Sequence, residues 1–322
     1  MGRGEYVVRR LGFALVTVWI AATINFVIFR AAPGDASSQY ETCSTCSAAF
    51  REHLREELGL NRSLPEQYLL YLKGLAQGDL GESFQTRRPV WDELVDPLLN
   101  TLPMLALGMA LGLGLGLLVG VVSAWRRRTV ADWAPVSVSL FLSALPVQWV
   151  GLVLLLLLGG VLPTAGIADP YLRFTDPSWW DVLVDRLAHM VLPALTIGLV
   201  WCGSWALIVR SALLDSLGED YILTARAKGL SNWAIVRRYA LRNALPPIVT
   251  LICLTAGYLV AGALLVETVF SYPGIGLELY QAVRNRDYAV LQGGFLLLTA
   301  AIVLANLAAD LLHFRLDPRV TA

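Results

Sequence analysis

Charge is scarce in this chain. Only 16% of its 322 residues are Asp, Glu, Lys or Arg, where a soluble domain carries about a quarter, so a free-standing soluble fold is excluded. Acids and bases balance at 25 each, and no basic tail or aromatic–basic motif offers a surface to nucleic acid. Histidine and cysteine are few, at three and four. No spacing among them suits a metal, and none is expected. The apolar stretches hold no paired aspartates, no H-E-x-x-H and no Ser–His pair, which removes intramembrane proteolysis. No G-x-x-x-x-G-K-[ST] run is present either, so the chain supplies no ATPase and binds no cofactor of its own.

What fills the sequence instead is hydrocarbon. Apolar residues make up 56% and the mean hydropathy is +0.60. The apolar runs suffice to cross roughly 30 Å of bilayer core, which takes about 20 helical residues. Alternating ten-residue segments, the mark of a membrane barrel, are missing. The expectation is an all-α integral membrane protein with six transmembrane helices, at 11–30, 103–124, 136–161, 190–210, 244–267 and 289–312. The fourth is the least hydrophobic, and Gly198, Gly203 and Ser204 suit close packing against other helices. Arg9 and Arg10 ahead of an apolar run also suit a signal peptide, but the length of that run and Pro33 after Ala31-Ala32 argue for a retained span. Short basic segments set the orientation. Arg3, Arg9 and Arg10, then Arg126 to Arg128, then the loop after span four, then Arg315 and Arg319 fall on one side, which places both termini in the cytoplasm.

Three regions follow: 1–30 with the first span, an extracytoplasmic lid at 31–102, and a core at 103–322. The lid shows helical periodicity near Phe50–Leu60 and Glu66–Leu75, then a glycine-rich turn from Gly78 to Phe84. It is too small for an independent enzyme domain. Cys43 and Cys46 lie in it. Outside the cytoplasm a local disulfide is the first reading, with free thiols or a redox pair as alternatives. Cys202 and Cys253, within spans, read as small buried hydrophobes. Tyr171, Phe174, Trp179 and Trp180 in the second outer segment suit interfacial anchoring, or else substrate contact.

The most distinctive stretch is the inner loop 211–243. Six of the 25 basic residues lie in or beside it: Arg210, Arg226, Lys228, Arg237, Arg238 and Arg242. Acids at Asp215, Glu219 and Asp220 precede a helical run, Gly229 is placed to end it with a positive φ, and Ser231 to cap a second helix through Trp233, Val236 and Tyr239. Pro246 and Pro247 fall in the first turns of the next span or kink it. The result is an elbow with Ala225, Ala227 and Gly229 at its bend, where a partner can approach closely, rimmed by Arg226 and Lys228. The plain alternative is a positive-inside loop with no partner.

Thr224-Ala225-Arg226-Ala227-Lys228-Gly229-Leu230, followed by Arg242-Asn243-Ala244-Leu245-Pro246, resembles the EAA loop of binding-protein-dependent ABC importer permeases in its peptide-permease form, with Thr224 where the naming glutamate would stand. The resemblance runs along nearly the whole chain. It takes in Arg9-Arg10-Leu11, Ala32-Pro33-Gly34-Asp35, Glu57-Leu58-Gly59-Leu60 with Gln67-Tyr68, and Gly78-Asp79-Leu80-Gly81 with Ser83-Phe84. It continues through Asn100 to Pro103, His189 to Pro193, Glu267 to Gly276, Arg286-Asp287-Tyr288, Asn306, Asp310 and Asp317-Pro318-Arg319. The CSTC insert departs from the pattern. The resemblance implies the type I importer permease fold and the first permease of an oligopeptide or dipeptide importer. It implies as partners a second, usually different permease, two cytoplasmic ATPase subunits that carry ATP and Mg, and an extracytoplasmic substrate-binding protein. The elbow would seat in an ATPase groove through Thr224, Ala225, Arg226, Ala227, Lys228, Gly229, Leu230 and Trp233. Nickel complexes, metallophores, glutathione and oligosaccharides are cargo alternatives on the same architecture. A motor-free secondary transporter would need intramembrane charges or internal symmetry, and neither is found.

Other residues are open to more than one reading. Glu267, at the outer end of span five where a charge can reach water, suits a hydrogen bond to the following turn, a gate or a peptide-amine contact. Pro273, Gly274 and Gly276 supply turn chemistry and are candidates for an outer gate. Asp310, His189 and His313 read as interfacial. By polarity alone, Ser143, Gln148, Ser204 and Thr255 are candidates for the translocation cavity.

Overall fold

The computed structural model describes residues 3–31, 61–246, 248 and 263–316. Among them the regular structure is helical: α1 (Arg3–Ala31), α2 (Leu64–Ala76), α3 (Val90–Trp125), α4 (Val130–Ala144), α5 (Val147–Leu158), α6 (Trp179–Leu217), α7 (Asp220–Ala227), α8 (Asn232–Ile235), α9 (Ile275–Arg284) and α10 (Tyr288–Leu316). A 3-10 turn, Pro170–Phe174, precedes α6. The lone strand-like feature among the described residues is a bridge between Glu82 and Pro89. The Phe50–Leu60 periodicity, Cys43, Cys46, Cys253, Thr255, Pro33, Pro247, Asp317 to Arg319 and most of the expected fifth span lie outside the described residues.

Four of the described helices are long and apolar enough to cross a membrane: α1, α3, α6 and α10. They contain the expected first, second, fourth and sixth spans and run past them. At 36 and 39 residues, α3 and α6 reach about 54 and 58 Å at 1.5 Å per residue, well beyond the hydrocarbon core. The expected third span, 136–161, is not one helix. It is α4 and α5, bent by 108° at their junction. Pro146 is the cause: it lacks an N–H, and it forces Leu145 out of the helical region to φ −75°, ψ 145°.

The chain falls into two units, Met1–Leu99 with Leu277–Leu304, and Asn100–Gly276 with Ala305–Ala322. In the first, Phe26 of α1 meets the rings of Tyr68 and Tyr71 of α2 at 5.3 and 5.5 Å. Asn25 donates to the Gln292 carbonyl of α10 at 2.7 Å. The expected glycine-rich turn is present, with Gly78 and Gly81 at φ 78° and 87°, a region only glycine enters freely. Asp287 is buried as the cap of α10. It accepts the Val290 amide at 3.3 Å, the Ser83 hydroxyl at 2.6 Å and the Gln85 amide at 3.2 Å.

In the second unit, glycines at i, i+4 spacing bring α3 and α6 into backbone contact. A Cβ on Gly112 would stand 2.8 Å from the Gly198 carbonyl oxygen and 2.7 Å from the Trp205 ring. On Gly116 or Gly120 it would press on Trp205 or Val209 at 2.8 and 2.7 Å. Gly203 gives α4 the same clearance, since a Cβ there would collide with the Ser139 carbonyl. The expectation that small residues in span four serve close packing is realised at Gly198 and Gly203, while Ser204 is exposed. The apolar core joins Met104 and Leu105 of α3, Val150 and Leu154 of α5, Met190, Leu192 and Ile197 of α6, and Ala263, Val266, Phe270 and Tyr272.

Two outcomes follow. Gly112→Leu overfills the α3–α6 contact and lowers stability by about 1–3 kcal/mol. Gly114→Ala, whose Cβ meets nothing within 4 Å among the described residues, gains up to about 1 kcal/mol from helix propensity. Thermal unfolding of the purified chain in detergent separates them, and equal melting temperatures for the two variants would contradict the packing. The second outcome concerns Glu278 of α9, whose carboxyl is pushed above its ordinary 4.5 by burial and by the acids Glu93 and Asp287. A raised acid costs stability as pH climbs above its unfolded value. Glu278→Gln therefore melts higher than the parent at pH 7 and level with it at pH 4, and a constant difference across that range would refute the shift.

Candidate functional site

The elbow grows directly out of α6. Gly218 ends that helix, donating its amide to Asp215 at 3.1 Å. Tyr221 turns back so that its hydroxyl pairs with the Ser216 hydroxyl at 2.6 Å. α7 then runs to Ala227 and closes as the sequence predicts. Gly229 adopts φ 75°, its amide donates to the Arg226 carbonyl at 2.9 Å, and the Leu230 amide donates to Ala225 at 3.3 Å. Those two bonds form a Schellman cap. Ser231 caps α8, accepting from the Ala234 amide at 3.3 Å. The expected second helix is not a single α-helix: α8 passes into a π-helical turn, Val236–Ala240, before α-helical bonding resumes over 241–246. The π turn resets the register so that Ile235, Val236, Ala240 and Ala244 all face inward.

The inward face of the elbow packs Ile222, Ala225, Ile235, Ala240 and Ala244 on Ala124 of α3 and on Val209 and Leu213 of α6. The three small residues at the bend are therefore not equivalent. Ala225, expected among the contacts to a partner, is 3% exposed and serves the chain's own core. Its place three residues after Ile222 puts both on the buried side of α7. Ala227 and Gly229 face outward with Thr224, Arg226 and Lys228, and Leu230 is half-buried. A Cβ on Gly229 would meet nothing within 4 Å among the described residues. Trp233, half exposed, stacks on Trp125 at the end of α3 with ring centroids 5.3 Å apart. The outward face thus combines bare backbone, a tryptophan and a cationic rim.

Beside the elbow, three helix ends are tied together, a feature the sequence reading missed. Arg210 of α6 donates from Nε to Asp132 Oδ1 of α4 at 2.8 Å and to the Ser123 hydroxyl of α3 at 2.9 Å. Its second nitrogen reaches Asp132 Oδ2 at 3.1 Å, and Ser123 donates to Oδ1 at 2.6 Å. An aspartate at the start of one apolar segment and an arginine at the end of another was the available signal.

Around Asn100 and Thr101, in the N-terminal half of α3, stand the residues expected at an outer gate. Glu267 does not reach water. It is fully buried, because the turn 271–276 folds over it, and it accepts the Thr101 hydroxyl at 2.6 Å. Asn100 donates to the Pro273 carbonyl at 2.9 Å, and Tyr272 donates to the Asn100 carbonyl at 3.2 Å. Burial, then the Glu267 charge, push the Tyr272 phenol up to about 12, against the opposing pull of Arg186. Gly274 and Gly276 are buried and Pro273 is half-buried. His189 is buried near the start of the expected fourth span, its ring nitrogen 2.9 Å from the Asp185 carbonyl. Of the cavity candidates, Ser143 donates to Ser139 at 3.0 Å within α4, Gln148 is half-buried in α5 and Ser204 is exposed on α6. Thr255 lies outside the described residues.

Residues 112–322 match the family described as binding-protein-dependent transport system inner membrane component, and residues 4–105 match the N-terminal part of the same kind of component. The chain belongs to this family. It is therefore a multi-pass inner-membrane subunit of an ABC importer, a permease rather than the ATPase. A dipeptide transport system permease of Escherichia coli (strain K12) is 37% identical over 333 residues, covering 98% of each chain. A di/tripeptide transport system permease of Pseudomonas aeruginosa (strain UCBPP-PA14) is 37% identical over 331 residues, again covering 98% of each. The membrane fold is similar to that of an inward-facing methionine ABC transporter structure, with a TM-score of 0.57 at 19% identity, covering 69% of this chain and 95% of that one.

Asp132→Asn leaves Arg210 without its counter-charge and costs about 3 kcal/mol, the low end for a broken buried pair because Arg210 keeps some solvent. The melting temperature of the purified subunit in detergent reports it, and an unchanged value would mean that the network is ornamental.

Proposed function

We propose that this chain is the first of two permeases in an ATP-driven importer of dipeptides or oligopeptides. The observation that carries this reading is end-to-end likeness to permeases of dipeptide and di/tripeptide systems, supported by an elbow whose exposed face carries Ala227, Gly229 and Trp233. The chain forms half of the pathway, with six spans, both termini in the cytoplasm and the 31–102 segment as an extracytoplasmic lid. A second, homologous permease completes the pathway, two ATPase subunits with ATP and Mg drive it, and a binding protein delivers peptide from outside.

In this reading the ATPase grips Ala227, Gly229 and Trp233, with Arg226 and Lys228 on the rim and Thr224 and Leu230 flanking. Ala225 supports the grip from beneath. ATP-driven closure of the motor swings the elbow as a rigid body with α3 and α6. Glu267, Pro273, Gly274 and Gly276 belong to the outer gate, while Ser143, Gln148, Ser204 and Thr255 line the path.

Gly229→Leu is the direct test. A Cβ at this position meets nothing within 4 Å among the described residues. The positive φ costs only about 1–2 kcal/mol, so the variant still reaches the membrane. Its side chain then stands where the ATPase must approach, and uptake of a labelled dipeptide falls by at least about tenfold. Undiminished uptake at normal membrane abundance would sink the coupling role of the elbow.

A further inference from the structure

The turn 271–276 closes over a charge. Glu267 is fully buried next to Val266, Phe270 and Tyr272 of the apolar core. An ionised carboxylate is tolerated in such a place only when hydrogen bonds and opposite charge replace water. Thr101 supplies one bond at 2.6 Å. The same threonine oxygen accepts the Ile275 amide at 2.9 Å, so a single hydroxyl joins the carboxylate to the first residue of α9. The Tyr272 amide donates to the Glu267 backbone carbonyl at 2.9 Å, which fastens the turn a second time. Glycines make the approach possible. A Cβ on Gly274 would collide with Glu267 Oε1 and stand 2.5 Å from the Thr101 oxygen, and one on Gly276 would stand 2.9 Å from Oε2. The carboxylate therefore faces the positive end of the α9 dipole.

We propose that Glu267 is the positioning residue of the outer gate: through Thr101 it latches the 271–276 turn and the start of α9 against α3, and this latch parts each time the pathway opens outward. The proposal rests on the permease reading above. An apolar side chain of similar size would hold a static turn at least as firmly, whereas a carboxylate stores a second state. When the turn lifts, water takes over the solvation that Thr101 and the helix end supplied. The gate then has two discrete positions, a requirement for switching between packed arrangements.

The test uses the full complex in lipid nanodiscs, with Glu267→Gln, Thr101→Val and Thr101→Ser. Glu267→Gln keeps the shape and removes the charge, Thr101→Val removes the hydroxyl, and Thr101→Ser restores it. Two readouts are taken: hydrogen exchange at the amides of 271–276, and ATP hydrolysis in the absence of binding protein. The latch predicts exchange at least about tenfold faster in the first two variants, together with hydrolysis released from its dependence on binding protein, and parental behaviour for Thr101→Ser. Parental exchange in Glu267→Gln or Thr101→Val would overturn the proposal. So would a lowered melting temperature with hydrolysis still dependent on binding protein, the signature of a merely structural bond. If Glu267→Gln does not assemble, Thr101→Val decides the matter. A parent complex that hydrolyses ATP regardless of any binding protein would count against the permease reading, while exchange at 271–276 would still judge the latch.

Discussion

The backbone-to-backbone approach of α3 and α6 is the constraint on which the second unit depends. Inside a bilayer no hydrophobic force draws one apolar helix to another, because lipid tails are as apolar as leucine. Association has to come from dispersion at short range and from polar pairing. Gly108, Gly112, Gly116 and Gly120 supply the short range, letting Trp205 and the Gly198 backbone sit in the groove they leave.

On α3, buried polar pairing to an acid occurs at two distant places. Thr101 and Ser123, both on α3, are separated by about 33 Å at 1.5 Å per residue, close to the roughly 30 Å of a hydrocarbon core. Each anchors a buried acid, Glu267 at the first and Asp132 at the second. The stretch of α3 between them is glycine and hydrocarbon and carries no charge. α3 thus joins the Asp132–Arg210 knot, beside which the elbow rests through Ala124 and the Trp125–Trp233 stack, to the Glu267 knot under the 271–276 turn. A helix fastened at two distant places suits the proposed role, in which a motor moves the subunit on one side and the pathway opens on the other.

Much of this was legible in sequence, and the rest was not for identifiable reasons. Gly229 and Ser231 announced their caps because left-handed backbone and an unsatisfied helix N-terminus each admit few residue types. Apolar runs announced α1, α3, α6 and α10, since length and hydropathy suffice. Pro146 was passed over inside a hydrophobic run, where only the geometry of the residue before a proline forecasts a 108° bend. The buried side of Ala225 is not legible, because composition identifies a small residue but not its side of a short helix. The Asp132–Arg210 pair and the Glu267–Thr101 bond join residues 78 and 166 positions apart, and no local pattern reports a partner at that distance.

The central claim is that this subunit works only as a passive conduit gripped at its elbow by a separate motor. Mass spectrometry of what copurifies with the tagged chain, after gentle extraction from its native membrane, tests it most directly. The account predicts an ATPase pair and a second permease in the same preparation. Recovery of the chain alone, where a control complex survives the same extraction, would contradict it.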